Sequence, residues 1–361
     1  MRPRGDSVEV VARYVAVDNV CAWPNLTRLN DGSIVAVIFN QPTHGGWQGD
    51  AECWASEDEG RTWTRRGVAA PHAPGTNRMN VAAGVIQDGT LLAMVSGWSD
   101  RNPPGHPSNP HEGIILPLWL CRSEDGGRHW THEELGIAAP DGSRWLIPFG
   151  DIVALPDESV AAAVYASPSP HAGDVSTLST HLFIGTDDGR QWARRSTIRA
   201  GDSNETALTM LSDGRLLAVA RTVSGHLELL DSNDAGATWQ PHGRITEDGQ
   251  HPGHLLVLQD QRVLLTYGIR QKPCYGVGAR FSEDGGRNWG PPFQVVDLSW
   301  PERPAGAVPD DAPWYHLRKN QDVGYPSSVQ LGNGDILTAY YCNGVPAHQR
   351  YHMGVVRWRC A

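Results

Sequence analysis

Thr209–Trp239 reads TMLSDGRLLAVARTVSGHLELLDSNDAGATW, and it holds both repeats from which the fold is read. Its first half is an apolar run, the turn pair Asp213-Gly214, and a second apolar run. Asp-Gly between β-rich segments is a strong hairpin signal, because both turn residues need positive φ. Its second half ends in S-x-D-x-G-x-x-W, Ser232–Trp239. There an Asp carboxylate can accept the turn's own amides, Gly takes the left-handed position, and Trp covers the neighbouring sheet.

Both units recur along the chain. The hairpin pattern returns around Asp31, Asp88, Asp157, Asp260 and Asn333, with Asp157-Glu158 and Asp260-Gln261 keeping the flanking pattern without the Gly. The second unit is complete at Ser56–Trp63, Ser123–Trp130 and Ser282–Trp289, and Gly185–Trp192 lacks only the Ser. A hairpin followed by a second hairpin makes four strands per repeat, the size of one propeller blade. Six such repeats predict an all-β, six-bladed β-propeller. No composition break divides the chain, so residues 1–361 read as a single domain. The last repeat lacks the second unit, and the N-terminal VEVVARYVAV and C-terminal HMGVVRWRC are expected to complete its blade.

Composition agrees with that class. Forty Gly, twenty-six Pro and fourteen Trp suit short strands joined by tight turns. Thirty Lys and Arg against forty Asp and Glu leave a net charge of −10, which argues against a nucleic-acid-binding face. Any anionic ligand must then be held by a local cluster of Arg. Cysteines 21, 53, 121, 274, 342 and 360 form no C-x-x-C pair, so neither a metal nor a cofactor is expected. Cys53 and Cys121 read as small buried apolar residues. With no signal-like N-terminal run and no stretch long enough to span a membrane, the expectation is a cytoplasmic protein.

Residues at the start of each blade's inner strand gather around the propeller axis. Counting eight positions back from the turns samples Trp23, Asn80, Phe149, Glu205, Pro252 and Tyr325. Asn25, Arg78, Asp151, Asn204, His251 and Asp322 are neighbours, and the returning strands reach Arg221 and Arg270. So many ionisable groups fill a core poorly but line a polar, sugar-sized pocket well.

The S-x-D-x-G-x-x-W repeats are the Asp boxes of sialidase-like propellers, and the chain resembles the sialidase superfamily throughout its length. The resemblance implies a glycosidase with a Tyr nucleophile, its Glu partner, an Asp acid/base and three Arg on a substrate carboxylate. It places Tyr325 as nucleophile, Glu205 as partner and Arg221 as the second Arg. Cys21-Ala22-Trp23-Pro24 stands where such enzymes carry Arg-Ile-Pro, with Ala22 in the Arg position. Arg270, Arg280, Arg303 and Arg318 are candidates for the third Arg, and Arg78 for a replacement of the first. His44 and Asp50 both lie where the acid/base is sought, and His251 is a substrate-binding candidate, whereas His254, three residues on, would point the opposite way. Pro-rich stretches 102–110 and 301–313 read as rim loops.

Three functions compete at this stage. One is an exo-acting glycoside hydrolase removing a terminal acidic sugar from a glycan. A second is a propeller enzyme cleaving at a uronic acid, as hydrolase or lyase, with His44 or His251 moving the proton and Tyr325 assisting. The third is a non-catalytic glycan-binding propeller.

Overall fold

A computed structural model of the chain describes residues 8–43, 48–99, 114–143, 145–169, 175–271, 273–299, 322–345 and 347–360. Among them there is no α-helix, only strands and two short 3-10 turns, Pro140–Gly142 and Val175–Thr177. The chain is all-β.

Every hairpin read from the sequence is an antiparallel strand pair. Cys21–Arg28 pairs with Ile34–Phe39, Asn80–Val85 with Leu91–Ser96, and Leu146–Ala154 with Val160–Ala166. Ser203–Met210 pairs with Leu216–Thr222, Gln250–Val257 with Val263–Gln271, and Val323–Gln330 with Ile336–Cys342. In each case the second strand carries a third and a fourth outward. Four sheets hold four strands each, and one holds eight. The larger sheet is two such sets, joined where Gly150 and Asp151 pair in parallel with Ala82 and Ala83. A two-stranded ribbon, Trp98–Ser99 with Ile114–Ile115, completes the pairing.

The first strands of these sets touch one another in cyclic order. Cys21–Arg28 meets Asn80–Val85, the sequence continues through Leu146–Ala154, Ser203–Met210 and Gln250–Val257, and Val323–Gln330 returns to Cys21–Arg28. Leu26, Gly84, Ile152, Leu208, Leu255 and Val329, one from each, line a single cavity of ≈ 400 Å³ at the hairpin-turn end. The last set uses both termini, because Val8–Asp18 pairs with His352–Cys360 from Val8↔Cys360 to Asp18↔His352, in the sheet that contains Tyr325.

The S-x-D-x-G-x-x-W turns fasten each set to the one before it. In Ser282–Trp289, Ser282 Oγ donates to Asp284 and accepts from Gly286 N, Asn288 N donates to Asp284 at 2.8 Å, and Trp289 Nε1 reaches Gly286 O at 3.0 Å. Ser56, Ser123 and Ser232 repeat the serine part of this pattern. These aspartates spend their lone pairs on the turn itself, which is a structural use. At Gly286 (φ 85°) an added Cβ would lie 2.7 Å from Leu217 of the preceding set. At Gly60 (φ 83°) it would lie 2.5 Å from Leu337, so the first set is locked onto the last. Gly127 abuts Cys53 in the same way, and Cys53 and Cys121 are buried thiols as expected.

Ladders are interrupted at the axial ends of the first strands. Register shifts fall between Cys21 and Asn25, Phe149 and Val153, Ser203 and Thr206, Gln250 and Gly253, and Gly324 and Ser327. A bulge adds unpaired residues on one strand and re-aims their side chains. Asn80–Val85 pairs without one.

Candidate active site

Tyr325 sits inside such a bulge, with φ 52° and 4% of its surface exposed. Gly324 before it (φ 103°) packs on Gly268, where an added Cβ would come within 2.9 Å of the Gly268 Cα. A bulky residue in the left-handed region is strained and persists where its surroundings over-determine it. Here the surroundings are aromatic. The ring centroids of Trp23, Tyr341 and Phe149 lie 5.2, 5.5 and 6.1 Å from that of Tyr325.

The Tyr325 hydroxyl donates to Glu205 Oε1 at 2.7 Å. Arg221 Nη1 pairs with Glu205 Oε2 and stands 3.2 Å from the same hydroxyl. Arg270 places its guanidinium carbon 5.4 Å from the Tyr325 ring centroid, and its Nη2 is 3.8 Å from Asp322. Three residues expected to converge therefore do so, with Arg270 as a fourth. Burial first, and Glu205's charge second, push the Tyr325 hydroxyl well above a phenol's ordinary 10, while Arg221 and Arg270 pull the other way. The phenol rests neutral, its proton already directed at a carboxylate.

His251 is 8% exposed and lies in the field of Arg221 and Arg270. Burial, and then those two cations, hold its imidazole far below the ordinary 6.5, so it is neutral. Its Nδ1 has no hydrogen-bond partner among the described residues. His254 belongs to a different place, with Nε2 3.0 Å from Asp151 Oδ2. Asn25 donates to Gly150 O at 2.6 Å nearby. A cavity of ≈ 20 Å³ between this axial group and Tyr325 is lined by Trp23, Asn25, Phe149 and His254.

Two expectations are corrected. Arg78 was expected on the floor beside Arg270, yet it stacks 3.4 Å from the Trp119 ring centroid and donates to Pro117 O at 3.1 Å. The charges that act most strongly on Tyr325 are Glu205, Arg221 and Arg270. Burial lowers Arg78 to about 10, and the indole face takes the place of a counter-ion. Asp50 makes no hydrogen bond to Tyr325, Glu205 or Arg221. Its Oδ1 accepts the His72 amide at 2.8 Å and lies 2.6 Å from His72 Nδ1, and Asn40 Nδ2 reaches Oδ2 at 3.4 Å. Those partners hold it at the outer strands of its own sheet. Arg280 is likewise spent, on the carbonyls of Ile245 and Gly290. His44, Arg303, Arg318 and the stretches 102–110 and 301–313 lie outside the described residues.

Other members went unread in the sequence. Tyr341 and Tyr351 both donate to Asp322, and Tyr165 lies in the electrostatic reach of Glu205, Tyr325 and Arg221. A forward count would have found two of them: Tyr165 and Tyr341, like Arg221, stand eight residues after a hairpin-turn residue. Among the described residues no group of three His, Cys, Asp or Glu is arranged to hold a metal ion.

The profile of the BNR repeat-like domain matches residues 115–337, more than half of the chain. The chain belongs to the BNR repeat-like domain family. No curated protein matches this BNR-repeat chain. Among solved structures, a protein of unknown function from Dyadobacter fermentans is 22% identical, with 98% of this chain and 99% of that one covered at a TM-score of 0.80. The Hadza microbial sialidase Hz136 is 16% identical, with 96% and 68% covered at 0.71. Trypanosoma rangeli sialidase, in complex with the inhibitor DANA, is 14% identical at 0.66, and the BNR-repeat chain spans 55% of its length. At these identities the likeness is one of fold, and the fold is sialidase-like.

Proposed function

We propose that this BNR-repeat protein is an exo-acting glycoside hydrolase that removes a terminal acidic sugar from a glycan. In this reading the cyclic strand sets are the six blades of one propeller domain, and the S-x-D-x-G-x-x-W turns are its Asp boxes. The observation that carries the reading is the hydrogen bond from Tyr325 to Glu205, inside an aromatic pocket that also holds two guanidiniums. A neutral phenol approaches the anomeric carbon of an anionic sugar with less repulsion than a carboxylate would, and sialidases depart from the two-carboxylate pattern in this way. As the Tyr325 oxygen attacks, its proton passes to Glu205 and the bond to the leaving oxygen breaks. In this reading His44 protonates that oxygen. Water then releases the sugar, giving its proton to the residue that protonated the leaving oxygen, while Glu205 returns the first proton to Tyr325. Arg221 and Arg270 supply the positive charge that a substrate carboxylate needs against the chain's net charge of −10.

One observation favours a second reading. His251 is buried in the field of both guanidiniums with its Nδ1 unpartnered among the described residues. In this reading that nitrogen takes the proton from a carbon next to a uronate carboxylate, which is the chemistry of a lyase at a uronic acid.

Incubation with aryl glycosides of acidic and neutral sugars and with uronate-containing oligosaccharides, read by mass spectrometry, tests both. Hydrolysis adds one water to the products, whereas a lyase leaves an unsaturated uronate. Tyr325→Phe is expected to abolish turnover while ligand binding persists. Full activity in that variant removes the nucleophile, and no turnover of any glycan by the wild type leaves a glycan-binding propeller.

A further inference from the structure

Asp322 is 4% exposed and precedes the strand that carries Tyr325. Its carboxylate accepts the hydroxyls of both Tyr341 and Tyr351, and Arg270 Nη2 lies 3.8 Å from its Oδ1. Tyr341 also packs its ring 5.5 Å from that of Tyr325. Ala22 lies in the same buried cluster as Tyr325, Tyr341 and Tyr351, at the position where the sialidase resemblance places a guanidinium. The site thus contains two arginines that act on each other unfavourably and on Tyr325 together. Two buried like charges persist side by side only when each has its own counter-charge. Glu205 serves Arg221, and Asp322 is the carboxylate beside Arg270.

We propose that Asp322, held in place by Tyr341 and Tyr351, is a positioning residue that fixes the Arg270 guanidinium across the face of Tyr325, ready for a substrate carboxylate. The proposal rests on the acidic-sugar reading for what Arg270 grips. The geometry of the positioning itself is independent of the substrate. At 3.8 Å the contact is charge pairing rather than a tight fork. The two phenols anchor Asp322, so the carboxylate keeps its place when a ligand draws Arg270 forward.

Asp322→Asn keeps the side-chain shape and removes the charge. In a crystal structure of this variant without ligand, the Arg270 guanidinium is expected to leave its place over the Tyr325 ring. An unmoved guanidinium overturns the proposal whatever the substrate is. On the acidic aryl glycoside that the wild type cleaves, KM is expected to rise about tenfold with kcat within about threefold, the pattern of lost substrate binding. An unchanged KM, or a kcat loss with KM held, overturns it as well. Calorimetric titration with free glucuronate against glucose should show the loss for the acid alone. Should Asp322→Asn not fold, Tyr351→Phe withdraws one hydroxyl donor from the carboxylate, and the same KM rise and Arg270 displacement are expected. A wild type that cleaves neutral sugars only, paired with a displaced Arg270 in the variant, sinks the acidic-sugar reading and leaves the positioning role standing.

Discussion

Tyr325 Oη donates to Glu205 Oε1 at 2.7 Å across 120 residues of sequence, and both oxygens are buried. The two residues start different strand sets, and each lies within a register shift of its own ladder. Paired bulges therefore deliver the phenol and the carboxylate to each other, with Arg221 bridging them.

Replacing Glu205 by Gln keeps an acceptor near the phenol but removes the base that takes its proton. A fall in kcat of about 10²-fold is expected, with the smaller part of the effect in KM. Steady-state kinetics on the cleaved glycoside checks it, and a kcat within about threefold of the wild type denies Glu205 this role. Arg221 loses its counter-charge in the same variant, so the melting temperature is expected to drop as well.

Ala22→Arg is not expected to restore a third guanidinium. Ala22 is fully buried with φ 36°, and its neighbours are Phe39, Met79 and three tyrosines. A side chain as large as arginine has no volume there and must displace packed aromatic rings, at a cost of about 3 kcal/mol. Thermal melting should show a clear loss. A stable variant with tighter binding of acidic sugars contradicts this.

Removing residues 1–17 takes away most of the strand that pairs with His352–Cys360. Tyr14 and Ala16 leave the cluster that contains Met353 and Val355, and Arg13 no longer reaches the Tyr340 hydroxyl at 3.0 Å. An edge opens in the sheet that holds Tyr325, at an expected cost of several kcal/mol. An unchanged melting temperature rules this closure out.

Stability should fall with acidification in a defined window. Asn288, through its amide and its side chain, and then Ser282 hold Asp284 at about 2, below its ordinary 3.8. Thr238 and Ser232 do the same for Asp234, also at about 2. A folded-state value below the unfolded one means stabilisation that is complete above about pH 4 and disappears as pH falls through about 2. Melting temperatures measured from pH 6 to pH 2 should decline in that interval. Asp284→Asn should be the less stable protein at pH 6 and the less pH-sensitive one below 4. Parallel curves for the two proteins contradict the assignment.

Local chemistry made the strand pattern and part of the site legible in the sequence. Asp-Gly turns, alternating apolar runs and the S-x-D-x-G-x-x-W unit act over a dozen residues, and the structure pairs strands at each of those turns. The backward count from the turns reached Glu205, Tyr325, Trp23 and Phe149 because a hairpin fixes how far along its strand each residue lies. Arg221 followed from the strand returning from the same turn.

Where a side chain points at the strand's axial end was beyond that reading, since a bulge changes it without altering the count. Arg78 lies two residues before a strand that pairs without a bulge, and it spends its charge on Trp119, a residue of another strand in that sheet. Asp50 finds His72, twenty-two residues on and across two strands. Asp322 finds Tyr341 and Tyr351 only once the last sheet has formed. The sequence by itself determined an all-β, sialidase-like chain and the residue types at its axis, because turn chemistry and strand periodicity are local. Which of those charges share a pocket was decided by the tertiary structure, because the free energy of a buried ion depends on the partner that packing brings to it.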